Sequence, residues 1–315
     1  MVLNAVILAA GKSTRMNSQR VKVLHEVCGR PMLAYVLDAV RAVGATCICV
    51  VVGHDRQRVM TEFADQKDIQ WVHQEEQKGT GHAVQVCRVA LSPLSGDTLV
   101  LAGDGPLIRA QTLQELIARH QQAGAGATLA TSELTDPAGY GRIVRGSGGE
   151  FLAIVEEKDA TPEQRAIREV NPSYYLFNTT DLFEALGKVT PNNRKGEYYL
   201  TDAVSILRLM GRVVQAVSAV PEEDVLSINT RQELARVCGV MQQRIVAEVM
   251  GSGVTVVNPQ QTWIEFGAKI GQDTVLEPFT FVGCGAVIPP GSHVPAGTVV
   301  PRGCVFDANH GARAS

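Results

Sequence analysis

Val6-Ile-Leu-Ala-Ala-Gly-Lys-Ser-Thr-Arg-Met16 carries the first reading of the fold. Val6–Ala10 predicts a buried strand, and it runs straight into small residues, a glycine and two cations. Backbone N–H groups free of bulky side chains at such a turn can approach an anion closely. The turn is not a P-loop, because its Gly-Lys-Ser follows the strand too soon and lacks the preceding glycine. It is not a dinucleotide fingerprint either, since G-x-G-x-x-G is absent. Arg15 and Lys22 place cations where a triphosphate would need them. Standing alone, the loop would read as a basic surface turn.

Outward from this loop the chain alternates short aliphatic runs with amphipathic stretches. Strands are expected at Cys47–Val52, Ile69–Val72, Thr98–Ala102 and Ala127–Thr131. Helices are expected at Met32–Val43, Asp55–Ala64, Thr80–Leu91 and Ala110–Gln122. This alternation predicts βαβ units, hence a Rossmann-like, mainly parallel sheet covered by helices. Ligands of such sheets sit beyond the carboxyl ends of the strands, so the loops after Ala10, Val52, Val72 and Ala102 are where chemistry belongs.

Two further rhythms follow. Leu234, Val237, Met241, Ile245 and Val249 form one apolar stripe at helical spacing over Arg231–Met250, stopped by Gly251-Ser252-Gly253. Ile264, Ile270, Leu276, Val282, Ile288, Val294, Val300 and Phe306 then recur every six residues. Pro289, Pro295 and Pro301 keep the same period, as do Gly291, Gly297 and Gly303. One inward aliphatic per hexad predicts a short left-handed parallel β-helix, three hexads to a coil. The expected organisation is an α/β domain over 1–230, a linking helix over 231–251, the β-helix over 252–306 and a polar tail over 307–315.

Composition bounds the rest. The 315 residues are enough for about two domains. With 29 Lys and Arg against 32 Asp and Glu, the chain lacks the basic excess of a nucleic-acid binder. Apolar residues at 45% exclude a disordered chain. No apolar run reaches membrane-spanning length, and the first ten residues read as a strand and not as a signal peptide. A cytoplasmic protein is expected, free of nucleic acid and membrane. The seven cysteines form no C-x-x-C pair, and scattered reduced thiols fit them better than disulfides or zinc.

The loop does not stand alone. With Lys22-Val-Leu-His25 and Gly29-Arg-Pro-Met32 it resembles the sugar-nucleotide pyrophosphorylases. Gln74-Glu-Glu-Gln-Lys-Gly-Thr-Gly-His-Ala83, Gly103-Asp104 and Asp136-Pro-Ala-Gly-Tyr-Gly-Arg-Ile143 extend the likeness. So do Ile154-Val-Glu-Glu-Lys-Asp-Ala160, Gly196-Glu-Tyr-Tyr-Leu-Thr-Asp202 and Ser227-Ile-Asn-Thr-Arg231. In this order, over roughly the first 250 residues, they resemble the bacterial N-acetylglucosamine-1-phosphate uridylyltransferases. The resemblance implies magnesium-dependent transfer of uridylyl from UTP to N-acetylglucosamine 1-phosphate, with release of pyrophosphate.

The resemblance also implies roles. Leu8, Ala10 and Gly11 would hold the nucleotide, with Arg15 and Lys22 as the catalytic cations on its phosphates. Gln74, Gly79 and Thr80 would read uracil. Gly103, Gly139, Glu156 and Asn171 would hold the sugar, and Asp104 with Asn229 would ligate Mg2+. Plainer roles stand beside these: Asp104 as a helix cap, Glu156 as a solvated charge, and Asn229 as the cap of the linking helix. His25 and His82 read as packing or hydrogen-bonded supports.

Four departures from the family pattern matter. Val21 replaces a proline before Lys22, and Ala102 replaces a tyrosine before Gly103-Asp104, which is followed by Gly105. Asn171-Pro172-Ser173 stands for Asn-Thr-Gly and removes a backbone donor beside the sugar. The β-helix stops after eight hexads, without the family's acetyltransferase motifs, so that second activity is expected to be absent. Family trimers imply that the β-helix packs against copies of itself, giving a homotrimer. Two other readings remain: transfer to another sugar 1-phosphate, and a catalytically weak, ligand-binding regulator on the same fold.

Overall fold

The computed structural model describes residues 2–11, 14–53, 55–193, 195–307 and 311–314. The chain forms two compact units, Met1–Leu24 with Leu33–Ser227, and His25–Met32 with Ile228–Ser315. Lys12 and Ser13 of the first loop lie outside the described residues, as do 308–310 and 315 of the expected tail.

The first unit is built on a mainly parallel sheet of nine strands. Seven lie in the order Val214–Ser218, Ala127–Glu133, Glu169–Asn178, Asp97–Ala102, Leu3–Leu8, Cys47–Val52 and Ile69–His73. Leu3–Leu8 pairs in parallel with both neighbours, Leu8 lying level with Ala102 and Val51. Its aliphatic residues are buried on both faces, as a central parallel strand requires. The strand begins at Leu3, three residues before the expected Val6. Asn4 hides that start in the sequence: it is buried, and its amide donates to the Ser95 carbonyl at 3.1 Å. It ends at Leu8, where Ala9 and Gly103 make single bonds to Val51 and Leu8 that close the ladder.

Other elements follow the aliphatic pattern closely, with Cys47–Val52 a strand, Met32–Ala42 a helix and Ala110–Ala123 a helix. The Thr80–Leu91 expectation resolves into an α-helix over Thr80–Gln85 and a 3₁₀ turn over Val86–Arg88. The insertion of Glu169–Asn178 was not foreseen. This strand runs antiparallel between Asp97–Ala102 and Ala127–Glu133, Tyr174 facing Leu101 on one side and Ala130 on the other. A hairpin of Gly141–Arg145 and Phe151–Val155 pairs with its first half. Because Glu169–Asn178 runs backwards, its first half lies at the carboxyl edge of the parallel strands.

The second unit holds the linking helix, Arg231–Gly251, opened by a capping box in which Thr230 and Glu233 satisfy each other's backbone N–H groups. After it, two-residue strands stack into a parallel β-helix. Trp263–Ile264 pairs with Phe281–Val282 and that with Val299–Val300, a repeat of 18 residues or three hexads. The aliphatics at 264, 276, 282, 288, 294 and 300 are buried along its axis. The first coil is two residues longer, Thr255 facing Val275, and contains a 3₁₀ turn at Pro259–Gln261. Gly311–Ala314 adds an antiparallel strand to Cys304–Asp307.

A hairpin from far up the chain completes this unit. Glu26–Val27 and Arg30–Pro31 pair around a turn in which Cys28 and Gly29 are both left-handed. Arg302 donates to Glu26 at 2.7 Å and to both oxygens of buried Glu265 at 2.6 Å. The Phe266 amide donates to the Cys28 carbonyl at 2.8 Å, and the Arg30 guanidinium lies 4.7 Å from the Phe266 ring centre. Among the described residues, no helix is long and apolar enough to cross a membrane. All seven cysteines are free.

Candidate active site

Three groups of residues meet the carboxyl edge of the sheet in the first unit. The first follows the central strands. Gly11 is exposed, and a Cβ there would meet nothing within 4 Å, so neither packing nor backbone twist demands glycine at this position. Ala10 is tied down behind it, its carbonyl accepting from the Gln77 side chain. Arg15 lies exposed in a short 3₁₀ turn, Thr14–Met16. Lys22 and Asp104 form an ion pair in which both side chains are largely covered, 13% and 22% exposed. Gly103 leads into Asp104 with its N–H on the Leu8 carbonyl at 2.9 Å. Asp104 does not cap the next helix, whose N-cap is Arg109.

The second group follows Ile69–His73. Gln74 is buried, and its amide nitrogen donates to the Gly79 carbonyl at 3.2 Å and to His82 Nδ1 at 3.0 Å. With both N–H bonds used inside the protein, its carbonyl oxygen is what it can offer a base. Gly79 must be glycine, because its φ is +107° and a Cβ would stand 2.6 Å from the Tyr198 carbonyl. Thr80 accepts from the Leu200 amide at 3.0 Å, which starts the helix Leu200–Leu209.

The third group surrounds a cavity of about 240 Å³ lined by Leu8, Thr80, Glu156, Ser173 and Lys195 among others. Glu156 follows the strand Phe151–Val155 and receives Thr201 Oγ1 at 3.5 Å. Burial holds its carboxyl above the usual range; Lys195 and Thr201 oppose that, and Asp159 and Asp202 add to it. Asn171 is buried at a bulge, donating to the Tyr175 hydroxyl at 2.6 Å and accepting from Ser173 N–H at 3.1 Å. The bulge is what lets Pro172 sit inside a strand without breaking a ladder bond. Gly139 is at an exposed turn, its N–H donating to Glu157 at 3.3 Å.

Two of the departures from the family pattern acquire a cause. Ser173, standing where the family has glycine, keeps a left-handed φ of +68°. Gly105 serves close approach: a Cβ there would stand 3.2 Å from the Tyr174 hydroxyl, which donates to the Asp224 carbonyl.

The structure thus brings Leu8, Thr80 and Glu156 to one cavity, pairs Lys22 with Asp104, and joins Gln74 to Gly79. Arg15 and Gly139 lie on exposed turns. Asn229 belongs to the second unit, where its N–H donates to Glu233 at 2.7 Å and Thr230, not Asn229, caps the helix. Ser173, Lys195, Tyr199 and Thr201 line the cavity and were not among the expected contacts. For Tyr199 and Thr201 the signal was present in Gly196-Glu-Tyr-Tyr-Leu-Thr-Asp202, read only as a motif.

A divalent ion can be tested against these donors. Among the described residues, no group of three or more His, Cys, Asp or Glu is placed to hold a metal. A lone carboxylate, Asp104, does fit magnesium, which keeps its waters and takes its other oxygens from substrate phosphates.

Known proteins resemble this chain in sequence. Residues 5–197 match the family described as the MobA-like NTP transferase domain. The chain is 46% identical over 280 residues to the bifunctional protein GlmU of Pelotomaculum thermopropionicum, covering 89% of this chain and 61% of that one. It is 45% identical over 292 residues to the protein of the same name from Halalkalibacterium halodurans, covering 91% and 64%. The Geobacter metallireducens protein of that name gives 44% over 276 residues, covering 88% and 58%. The chain therefore spans about three-fifths of the length of these relatives.

Proposed function

The chain belongs to the MobA-like NTP transferase domain family, and from that premise we propose that it transfers uridylyl from UTP to N-acetylglucosamine 1-phosphate in the cytoplasm. The observation that carries this reading is the meeting of three loops at one sheet edge, with the Lys22–Asp104 pair between the nucleotide loop and the strand beside it. An open glycine turn at Gly11, a buried carboxamide at Gln74 and a half-buried carboxylate at Glu156 suit a phosphate, a base edge and sugar hydroxyls respectively. The GlmU relatives are named bifunctional; the activity proposed for these 315 residues is nucleotidyl transfer, without acetyl transfer.

The chemistry joins two anions, so cations and oriented donors do most of the work. Lys22 is held by Asp104 before substrate arrives, which keeps a desolvated ammonium available at the phosphate position. Arriving phosphate would take the ammonium and free the Asp104 carboxylate to hold magnesium; by the resemblance Asn229 would be a further ligand. Magnesium, when bound, neutralises phosphate charge on both substrates. Arg15, exposed on the Thr14–Met16 turn, meets the departing pyrophosphate. Glu156 and Asn171 accept and donate to the sugar, fixing its phosphate oxygen in line with the α-phosphate.

Pyrophosphate release, measured with magnesium across nucleoside triphosphates and sugar 1-phosphates, tests the reading. Release with UTP and N-acetylglucosamine 1-phosphate alone supports it, and Asp104→Ala should then lose at least about a hundredfold in kcat/KM. Release with another sugar moves the substrate, a result that Ser173 at the cavity and Ala102 beside Gly103 would explain. No release with any pair leaves a ligand-binding regulator.

A further inference from the structure

Arg142 is the largest wholly buried side chain among the described residues. A guanidinium can stay in an interior only when its donors are met. Nη2 lies 2.7 Å from Glu157 Oε2, Nη1 donates to the Tyr140 carbonyl, and Nε donates to the Arg165 carbonyl at 3.4 Å. The same Glu157 oxygen accepts the Gly139 N–H at 3.3 Å. One arginine and one carboxylate therefore tie the Gly139–Tyr140 turn to the Glu156–Glu157 turn.

These two turns carry both Gly139 and Glu156, one entering and one leaving the open end of the Gly141–Arg145 and Phe151–Val155 hairpin. Neither turn lies within the strand ladder: its last pairs on this side are Arg142 with Val155 and Gly141 with Asn171, and Gly139–Tyr140 and Glu156–Glu157 lie beyond them. We propose that Arg142 and Glu157 are positioning residues for sugar recognition, a clamp that sets the distance between the two lips of the sugar pocket. This rests on the uridylyltransferase reading of the same site. Neither side chain touches the nucleotide loops, so the clamp acts on the sugar phosphate and leaves UTP binding alone. Lysine cannot replace the arginine, since one ammonium cannot reach Tyr140, Arg165 and Glu157 in the directions a guanidinium fork does.

The test is steady-state kinetics on the full chain for Arg142→Lys, Glu157→Ala and Glu157→Gln, each with a melting curve. Arg142→Lys and Glu157→Ala should raise KM for the sugar phosphate about tenfold, the effect of roughly one lost hydrogen bond. KM for UTP should stay within about twofold, and Glu157→Gln, which keeps an acceptor, should recover much of the loss. Glu157 is partly exposed, so its variants decide the matter if Arg142→Lys does not fold. Equal rises in both KM values, a fall in kcat alone, or no change would overturn the clamp. If the wild-type chain turns over no sugar phosphate, the uridylyltransferase reading falls and the clamp with it; normal wild-type turnover with unaltered variants removes the clamp only.

Discussion

Glu156 and Ser173 show how single residues in this site trade stability for placement. The folded pKa of Glu156 is raised, chiefly by burial, so the native state holds its proton more tightly than the unfolded chain. Stability from this group is then present at low pH and is lost as pH rises from the unfolded pKa, about 4.3, through the folded value. Glu156→Gln should therefore melt higher than the wild type near pH 7, with the gap closing towards pH 4; an equal gap at both pH values would refute this. On the proposed uridylyltransferase reading, with an ionised Glu156 accepting from the sugar, the same shift should place the acid limb of kcat/KM above the range of an ordinary glutamate. Ser173 at φ +68° bears a left-handed cost of about 1–2 kcal/mol, eased by its N–H bond to Asn171. Ser173→Gly should gain about 0.5–1 kcal/mol in denaturant melts, after the greater freedom of unfolded glycine is counted. The sequence reading of Asn171-Pro172-Ser173 concerned only the donor lost at Pro172; the left-handed Ser173 is visible only in the backbone.

At the level of elements, the hexad reading carried furthest. One inward aliphatic every six residues is a local rule, repeated without long-range help, and it put Ile264 through Val300 on the β-helix axis. Ile288 is 1% exposed and Val299 is 60% exposed. Ile288→Ala should cost about 2–5 kcal/mol and Val299→Ala less than about 0.5, a contrast that urea unfolding would read directly. The sheet was legible where strands are aliphatic throughout, as at Cys47–Val52. It was not legible at Glu169–Asn178, where Asn171, Pro172 and Ser173 break the apolar pattern. That strand is held by pairing on both sides, and its bulge takes in the residues that argued against it.

For the molecule as a whole, the surprise is the hairpin at His25–Met32. It lies between two stretches of the first unit in sequence, yet it packs with the linking helix and β-helix of the second. A chain cut after Ser227 would keep the hairpin and remove Glu265, Phe266 and Arg302, its partners. Such a fragment should melt well below the full chain and associate in size-exclusion chromatography; a monomer melting like the full chain would contradict this. The hairpin begins three residues after Lys22, so a hairpin without its partners should also loosen the turn that carries that cation.

Sequence alone determined what repeats or recurs locally: the aliphatic strands, the stripe on the linking helix, the hexads, and a glycine turn following a strand. These follow from side-chain periodicity, which each segment displays without knowledge of its neighbours. Tertiary structure alone decided which distant residues meet. It paired Lys22 with Asp104 across 82 positions, buried Arg142 against Glu157, and set an antiparallel strand among parallel ones. Such pairings depend on chain reversal and on the satisfaction of buried polar groups, and neither leaves a period in the sequence.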